Sequence, residues 1–285
     1  MKISLCNEVL GGLDFAAQCV LARGLGYDGL ELAPFTLGPE PHRLAAARRA
    51  ELRHIAEDHG LRITGLHWLL VTPDGLSITS RDAATRARTQ GVMHRLIELC
   101  ADLGGMILVH GSPKQRPIEP GDSRKVALAR AAECFAAVAA DAEEARVTYC
   151  IEPLAPSETP LINTVEEAAA LVQAIGSPAV RTMIDSCAAG NAERFAIPEL
   201  IARWLPAGLI AHIHLNDPNR HAPGQGDLRF GPILAALEDH GYAGIGAVEP
   251  FVYAPDGPSC AARAIGYLRG LEEALARRSP RLTTV

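Results

Sequence analysis

The sequence of 285 residues predicts a single α/β domain, a (β/α)8 TIM barrel spanning residues 1–285. Eight short apolar runs alternate with eight segments of helical composition. The runs lack clear polar alternation, as expected for parallel strands covered on both faces. No linker-like change of composition divides the chain. The main alternative is an open doubly wound sheet, but the first strand–helix turn, residues 6–12, lacks the GxGxxG pattern of a dinucleotide-binding loop.

The first half of the chain contains four strand–helix units. The predicted strands are the apolar runs 2–6, 29–32, 62–67 and 106–110. The predicted helices that follow them are 13–23, 41–59, 82–103 and the alanine-rich segment 122–145. Gly24 and Gly26 end the first helix and Gly60 ends the second, because glycine readily adopts the left-handed conformation found at helix C-termini. Pro73 and Gly75 mark the long connection after the third strand as a loop.

The second half repeats this pattern. The predicted strands are 147–152, 181–185, 211–214 and 245–249, and the predicted helices are 165–175, 198–204, 232–240 and 259–277. Asn163 or Thr164 caps the helix 165–175, and Glu166 and Glu167 lie in its first turn, where the helix dipole favours negative charge. We expect the tail, residues 278–285, to be frayed.

Composition excludes several classes of protein. The net charge of −6 and the pI near 5.9 argue against a nucleic-acid partner, which would require a concentrated basic surface. The seven cysteines are widely spread and form no CxxC pair, which favours reduced thiols in a cytoplasmic protein. The first residues lack the apolar core of a signal peptide, and no run is long enough to span a membrane. We therefore expect a cytoplasmic protein without a membrane partner.

Four chemically related residues end four successive strands of the second half. Glu152, Asp185, His214 and Glu249 lie about one strand–helix unit apart. The C-terminal ends of barrel strands meet on one face, where such enzymes carry out their chemistry, so these side chains should converge. Three carboxylates and one imidazole form a mostly oxygen ligand set. It predicts one divalent metal ion, Mn²⁺ first, with Mg²⁺ or Co²⁺ as alternatives, whereas four separate ion pairs with arginines would be the structural alternative.

The same segments resemble a known group of enzymes. The runs 152–164, 184–185, 212–224 and 248–251 look like the D-tagatose/D-psicose (allulose) 3-epimerase group. That group belongs to the xylose-isomerase-like TIM-barrel superfamily, which contains sugar phosphate isomerases and epimerases. The motifs are specific in the second half of the chain and weak in the first. The resemblance implies a divalent-metal-dependent epimerase or isomerase of carbohydrate metabolism, with a small-molecule sugar as substrate.

The resemblance also implies roles for individual residues. The family pattern gives metal binding and proton transfer to Glu152 and Glu249, and metal binding alone to Asp185 and His214. It gives substrate contacts to two further residues, Glu158 and Arg220. One departure concerns position 188, where Ala188 stands in place of a family histidine that contacts the sugar. The pose of the sugar near the reacting carbons is therefore left open.

The chemistry suits these residue types. A proton on a carbon beside a carbonyl is only weakly acidic, and a metal chelated by the carbonyl and a neighbouring hydroxyl stabilises the enediolate that forms on its removal. Epimerisation then needs acid/base groups on opposite faces of the carbon. Glu152 and Glu249, from strands facing each other across the metal, could supply them.

Other polar residues near strand ends carry weaker predictions. His67 and Trp68 are predicted to form a wall against which a sugar packs, with plain barrel packing as the alternative. His212 is predicted to be a core residue or to support His214 from behind. Lys114 and Arg116 are predicted to be solvated loop charges, with phosphate or carboxylate binding as the alternative. Glu31 could hold a substrate hydroxyl or pair with an arginine, and the sequence does not choose.

The sequence therefore predicts a metal-dependent epimerase or isomerase that acts on a ketose or related polyhydroxy carbonyl compound. The runner-up is a lyase of the inosose-dehydratase type, because the same enediolate can expel a β-hydroxyl group. A DNA-repair endonuclease on the same barrel and a non-enzymatic sugar-binding protein are weaker alternatives. The sugar, its phosphorylation and the oligomeric state, including a homo-oligomer, are left open.

Overall fold

Eight parallel strands form a closed barrel in the computed structural model, which describes residues 1–277. The strands are β1 (Lys2–Cys6), β2 (Gly29–Leu32), β3 (Arg62–Leu66), β4 (Ile107–His110), β5 (Thr148–Ile151), β6 (Val180–Asp185), β7 (Ile210–Leu215) and β8 (Ile245–Val248). Each strand pairs with the next in the chain, and β8 closes the barrel on β1. The predicted fold is confirmed. The expected frayed tail lies outside the described residues, and the assignment of all 285 residues to one domain stays a prediction.

Helices cover the outside of the barrel and follow the strands along the chain. They are α1 (Phe15–Leu25), α2 (Ala46–Asp58), α3 (Ala83–Asp102), α4 (Arg124–Ala137), α5 (Ala139–Glu144), α6 (Val165–Ile175), α7 (Ser186–Ala192), α8 (Ile197–Trp204), α9 (Phe230–Asp239) and α10 (Gly257–Ala276). Short 3-10 turns occupy Asn7–Leu10, Pro34–Leu37, Pro41–Arg43 and Pro113–Gln115. Among the described residues, no helix is both long enough and apolar enough to cross a membrane.

Two predicted helices were wrong in their bounds, and one helix was missed. The segment 41–59 begins as a 3-10 turn, and the helix starts only at Ala46, because Ala45 has an extended backbone. The segment 122–145 divides at Val138, where φ is −99° and ψ is 0°, without any glycine or proline to indicate the break. The helix α7 follows β6 directly, and the Asp185 carboxylate caps it by accepting a hydrogen bond from the Ala188 amide (2.6 Å).

The barrel interior has an apolar floor below the C-terminal ends of its strands. Val109, Cys150 and Met183 form a small buried cluster separate from the main core. Cys150 lies two residues before Glu152, and Met183 lies two residues before Asp185. Because side chains alternate along a strand, each pair projects from the same strand face, with the carboxylate nearer the C-terminal end. The floor therefore supports a polar upper layer in which these carboxylates are buried.

Candidate metal centre

The four strand-end residues predicted to converge do so in the structure. Glu152, Asp185, His214 and Glu249 are all buried, and each contributes a ligand atom within 4.8 Å of the others. His214 Nδ1 lies 2.8 Å from Glu249 Oε2, 3.5 Å from Glu152 Oε1 and 4.0 Å from Asp185 Oδ2. Within residues 1–277, no arginine side chain lies within 4.0 Å of these three carboxylate groups. The alternative of four separate ion pairs with arginines does not describe this cluster.

The electrostatics of the cluster favour a bound cation. Burial raises the pKa of Asp185 well above its ordinary value, and the nearby Glu152 and Glu249 carboxylates raise it further. Burial also raises the pKa of Glu249, although His214 opposes this shift. Three buried carboxylates share one imidazole, and such crowding is costly unless a positive charge compensates it. The donor set and its burial therefore fit a divalent metal ion.

Glu31, which the sequence left open, positions the imidazole of His214 from behind. Its Oε1 accepts from His214 Nε2 (2.8 Å), while its Oε2 lies 2.8 Å from His212 Nε2. Burial would raise the pKa of Glu31, but the two histidines outweigh it and lower this pKa well below the ordinary value. A carboxylate that holds the proton on Nε2 leaves the Nδ1 lone pair free for a metal ion. His212 accordingly takes part in this supporting layer.

Asn216 is a second supporting residue, and the sequence reasoning missed it. Its side-chain amide donates to Asp185 Oδ2 (2.8 Å) and to the backbone carbonyl of Glu249 (3.0 Å), while its Oδ1 accepts from the Cys187 amide (2.8 Å). The residue is fully buried two positions after His214. It therefore ties the ends of β6 and β8 together. The available sequence signal was an asparagine two positions after the strand-end His214.

Gly111, directly after β4, makes room for the Glu152 carboxylate. A Cβ atom at position 111 would overlap Glu152 Oε2. The backbone of Gly111 is not in the left-handed region, so alanine would not strain the main chain. The overlap involves the flexible end of a side chain, and we therefore expect the carboxylate to move while the fold is retained.

The substitution Gly111→Ala should accordingly impair the metal centre and leave the fold intact. We expect metal affinity to fall about 10–100-fold, the usual scale when the support of a ligand is lost, with a thermal unfolding midpoint of the metal-free protein close to wild type. Equilibrium dialysis with Mn²⁺ would measure the affinity. Gly91→Ala is the matched control, because a Cβ atom there would meet nothing within 4 Å. Wild-type affinity in Gly111→Ala would show that Glu152 does not need this space.

The side chains predicted to form a sugar wall lie beside the cluster. His67 is fully buried, with Nε2 3.7 Å from Glu249 Oε1. The Trp68 ring packs between Phe35 and Phe251, with centroid distances of 5.7 Å and 5.8 Å. The Arg220 guanidinium lies over the Phe251 ring, 4.7 Å from its centroid. These residues form a continuous aromatic and cationic surface next to the metal-binding cluster.

The remaining predicted residues lie on the loops after β4 and β5. Glu158 is an exposed residue; partial desolvation of its carboxylate and the neighbouring Glu152 raise its pKa, against the opposing charges of Arg220 and Arg116. The expectation that Arg116 is solvated was wrong: it is fully buried, and its Nη1 donates to the backbone carbonyl of Glu152 (2.8 Å). The loop after β5 contacts Arg116, since the Thr159 hydroxyl donates a hydrogen bond to the Arg116 backbone carbonyl (3.4 Å). Lys114 is exposed, as expected.

Comparison with known proteins identifies the family. Residues 19–271 match the family model described as the xylose isomerase-like TIM barrel. The chain belongs to this family. Among curated relatives, a D-psicose 3-epimerase of Agrobacterium fabrum is 29% identical over 230 residues, covering 80% of this chain and 76% of the relative. A probable ketose 3-epimerase of Synechocystis is 25% identical over 251 residues, covering 86% of this chain and 80% of the relative.

Solved structures give the same picture of the fold. A D-psicose 3-epimerase with D-tagatose from Clostridium cellulolyticum H10 superposes with a TM-score of 0.81 at 23% identity, covering 96% of this chain and 99% of that chain. An L-ribulose 3-epimerase superposes with a TM-score of 0.82 at 23% identity, covering 100% of this chain and 99% of that chain. At this identity the structures bear on the fold alone. Together with the curated relatives, they confirm the predicted resemblance to ketose 3-epimerases.

Proposed function

We propose that this protein is a divalent-metal-dependent epimerase that inverts the carbon beside the carbonyl of a ketose through an enediolate intermediate. The observation that carries the proposal is the buried convergence of Glu152, Asp185, His214 and Glu249. Glu152 follows β5 and Glu249 follows β8, and the strands β6 and β7 lie between these two. The names of the curated relatives, ketose and D-psicose 3-epimerases, support the substrate class.

The four strand-end residues would hold one divalent ion, with Mn²⁺ favoured and Mg²⁺ or Co²⁺ as alternatives. Their mostly oxygen donor set suits these ions. Glu31 supports this role by fixing the His214 ring, and Asn216 supports it by fixing the Asp185 carboxylate. When bound, the ion would supply Lewis-acid stabilisation of the negative charge that develops on the oxygens of the sugar.

The protein's own carboxylates would move the proton. Glu249 would remove it from one face of the carbon, and Glu152 would return a proton to the other face, or the reverse for the opposite reaction. Burial raises the pKa of Glu249, and a bound cation would oppose this shift. The absence of a side chain at Gly111 leaves room for the Glu152 carboxylate, and Arg116 donates a hydrogen bond to the backbone carbonyl of Glu152.

The substrate would be held by the residues around this centre. Glu158 and Arg220 would bind sugar hydroxyls, and His67 and Trp68 would form the wall against which the sugar lies. Ala188 contributes only a methyl group on α7, and its amide donates to the Asp185 carboxylate. The hydroxyls beside position 188 would therefore be bound by other groups, such as Glu158 on the neighbouring loop.

We further propose that the protein acts in the cytoplasm. All seven cysteines lie among the described residues and are free and buried, which suits a reducing compartment. The net charge of −6 supports a small-molecule partner over nucleic acid.

Product analysis tests the proposal. The Mn²⁺-loaded protein should convert D-fructose, D-psicose, D-tagatose or L-ribulose into the epimer at C3, and chelation should abolish the conversion until Mn²⁺ is restored. A product that has lost one water molecule would show that the protein is a lyase instead of an epimerase. Absence of conversion, with sugar binding that persists after chelation, would favour a binding protein. Cleavage of abasic duplex DNA without any action on ketoses would favour the endonuclease.

A further inference from the structure

The loop between β7 and α9, residues 216–229, carries Arg220, which the proposed function places against the sugar. Arg220 has a left-handed backbone with a φ of 71°. Residues other than glycine keep this conformation only when the surrounding structure imposes it. The Arg220 guanidinium lies over the Phe251 ring, which also packs against Trp68. Other residues of the loop must therefore hold Arg220 in this position.

Asp217 makes the hydrogen bonds that shape this loop. Its Oδ1 accepts from the Asn219 amide (3.2 Å), and its Oδ2 accepts from the Leu228 amide (2.9 Å). Its backbone carbonyl accepts from the Arg220 amide (2.7 Å), and its own amide donates to the His221 carbonyl (2.9 Å). One residue thus joins the two ends of the loop and also fixes the peptide group of Arg220.

The role of Asp217 requires a carboxylate. The residue is only 2% exposed, and a buried carboxylate is costly unless hydrogen bonds compensate it. Here two backbone amides, from Asn219 and Leu228, bind different oxygens of the same group. An asparagine side chain has one acceptor oxygen, so it would leave one of these amides without a partner.

Gly226 leaves the space that the Asp217 carboxylate occupies. A Cβ atom at position 226 would overlap both carboxylate oxygens of Asp217. The backbone of Gly226 is not in the left-handed region, so the loop needs glycine here for its small size and not for its conformation. Two distant positions of the loop are therefore matched to one buried carboxylate.

The backbone carbonyl of Arg220 links this loop to the loop after β8. It accepts hydrogen bonds from the amides of Phe251 (2.9 Å) and Val252 (3.0 Å). Phe251 thus contacts both the main chain and the side chain of Arg220. It lies two positions after Glu249, a residue of the metal-binding cluster. The position of Arg220 is in this way tied to the centre where the sugar would react.

We propose that Asp217 is the positioning residue for Arg220, and that Gly226 provides the space for this role. The Asp217 carboxylate holds the loop so that Arg220 keeps its left-handed backbone and its guanidinium stays over Phe251, where it would meet the sugar. This inference rests on the proposed function, because Asp217 would act on substrate binding through Arg220 without touching the sugar.

Amide hydrogen exchange tests whether Asp217 holds the loop, and it needs no substrate. Asp217→Asn should speed exchange in peptides covering residues 218–229 and 250–253 and leave the barrel strands unchanged. Gly226→Ala should have the same effect. Asp227→Asn is the matched control, since this exposed acid lies in the same loop, and it should behave as wild type. Wild-type exchange in both Asp217→Asn and Gly226→Ala would overturn the proposal.

Kinetics on D-psicose at saturating Mn²⁺ test whether Asp217 acts through Arg220. Asp217→Asn should lower kcat/KM by about 10–100-fold, chiefly by raising KM, as expected when a binding group is misplaced. The same substitution in an Arg220→Ala background should cost little more, because the group that Asp217 positions is then gone. Mn²⁺ affinity should stay near wild type in each variant.

Equal losses of kcat/KM in the wild-type and Arg220→Ala backgrounds would overturn the proposal, because Asp217 would then act by another route. A fall in Mn²⁺ affinity that accounts for the whole loss would also overturn it, since the effect would then pass through the neighbouring Asn216. Absence of turnover by the wild-type protein would instead contradict the proposed function. Hydrogen exchange would still decide whether Asp217 holds Arg220.

Discussion

Replacement of Glu249 by glutamine is expected to lower turnover by about 10²–10⁴-fold even at saturating Mn²⁺, the usual scale for loss of an acid/base group. Glutamine keeps an oxygen that can contact a metal ion, but it cannot take or give the proton. Glu152→Gln should cause a loss of the same order, because epimerisation needs one group on each face of the carbon. Initial rates on a ketose, measured across a Mn²⁺ titration, would give both values.

The control for these variants is Glu98→Gln, at an exposed position of α3, which should keep wild-type rates. Metal binding should be measured on the same samples, so that a slow variant with bound metal is distinguished from an empty one. Restoration of Glu249→Gln to near wild-type turnover by added Mn²⁺ would show that this residue only holds the ion. The mechanism with two carboxylates would then have to be abandoned.

Replacement of Asp185 by asparagine should instead act through metal affinity. The Asp185 carboxylate accepts hydrogen bonds from Asn216 and from the Ala188 amide, so its position is fixed, and the proposed mechanism gives it no proton to transfer. Asparagine removes one negative charge and must turn its amide hydrogens towards one of these two hydrogen-bond donors. We expect Mn²⁺ affinity to fall about 10–100-fold or more.

Excess Mn²⁺ should therefore restore most of the turnover of Asp185→Asn. Activity as a function of free Mn²⁺ would show a shifted midpoint and a plateau near the wild-type level. A plateau as low as that of Glu249→Gln would mean that Asp185 does more than bind metal.

The convergence of the four strand-end residues followed from the sequence because two physical rules act together. A carboxylate placed after three or four apolar residues must lie in or beside the core and needs a partner. Parallel barrel strands bring their C-terminal ends to one face. Glu152, Asp185 and Glu249 satisfied both rules, and His214 satisfied the second. Glu31, near the end of the short strand β2, satisfied only the second rule, and that rule does not distinguish a metal ligand from a residue that supports one.

Features that depend on loop packing could not be derived in this way. Arg116 lies in a polar loop with two prolines, a composition typical of solvent exposure, and only contacts with distant loops bury it. The role of Gly111, after β4, depends on where the Glu152 carboxylate lies, and Glu152 follows the neighbouring strand β5. Cys6 and Glu8, at and after the end of β1, lie close to His67 after β3, and no local pattern relates these segments.

The most direct test of the central claim is solvent exchange during turnover. The Mn²⁺-loaded protein, incubated with a ketose in D₂O, should introduce deuterium at C3 in both the epimeric product and the recovered substrate, without loss of water. Glu249→Gln and Glu152→Gln should each form almost no labelled epimer, and each should lose exchange in the sugar whose C3 proton the replaced residue removes. Epimerisation without any deuterium at C3, or no exchange with any of the ketoses, would contradict proton transfer by these two carboxylates.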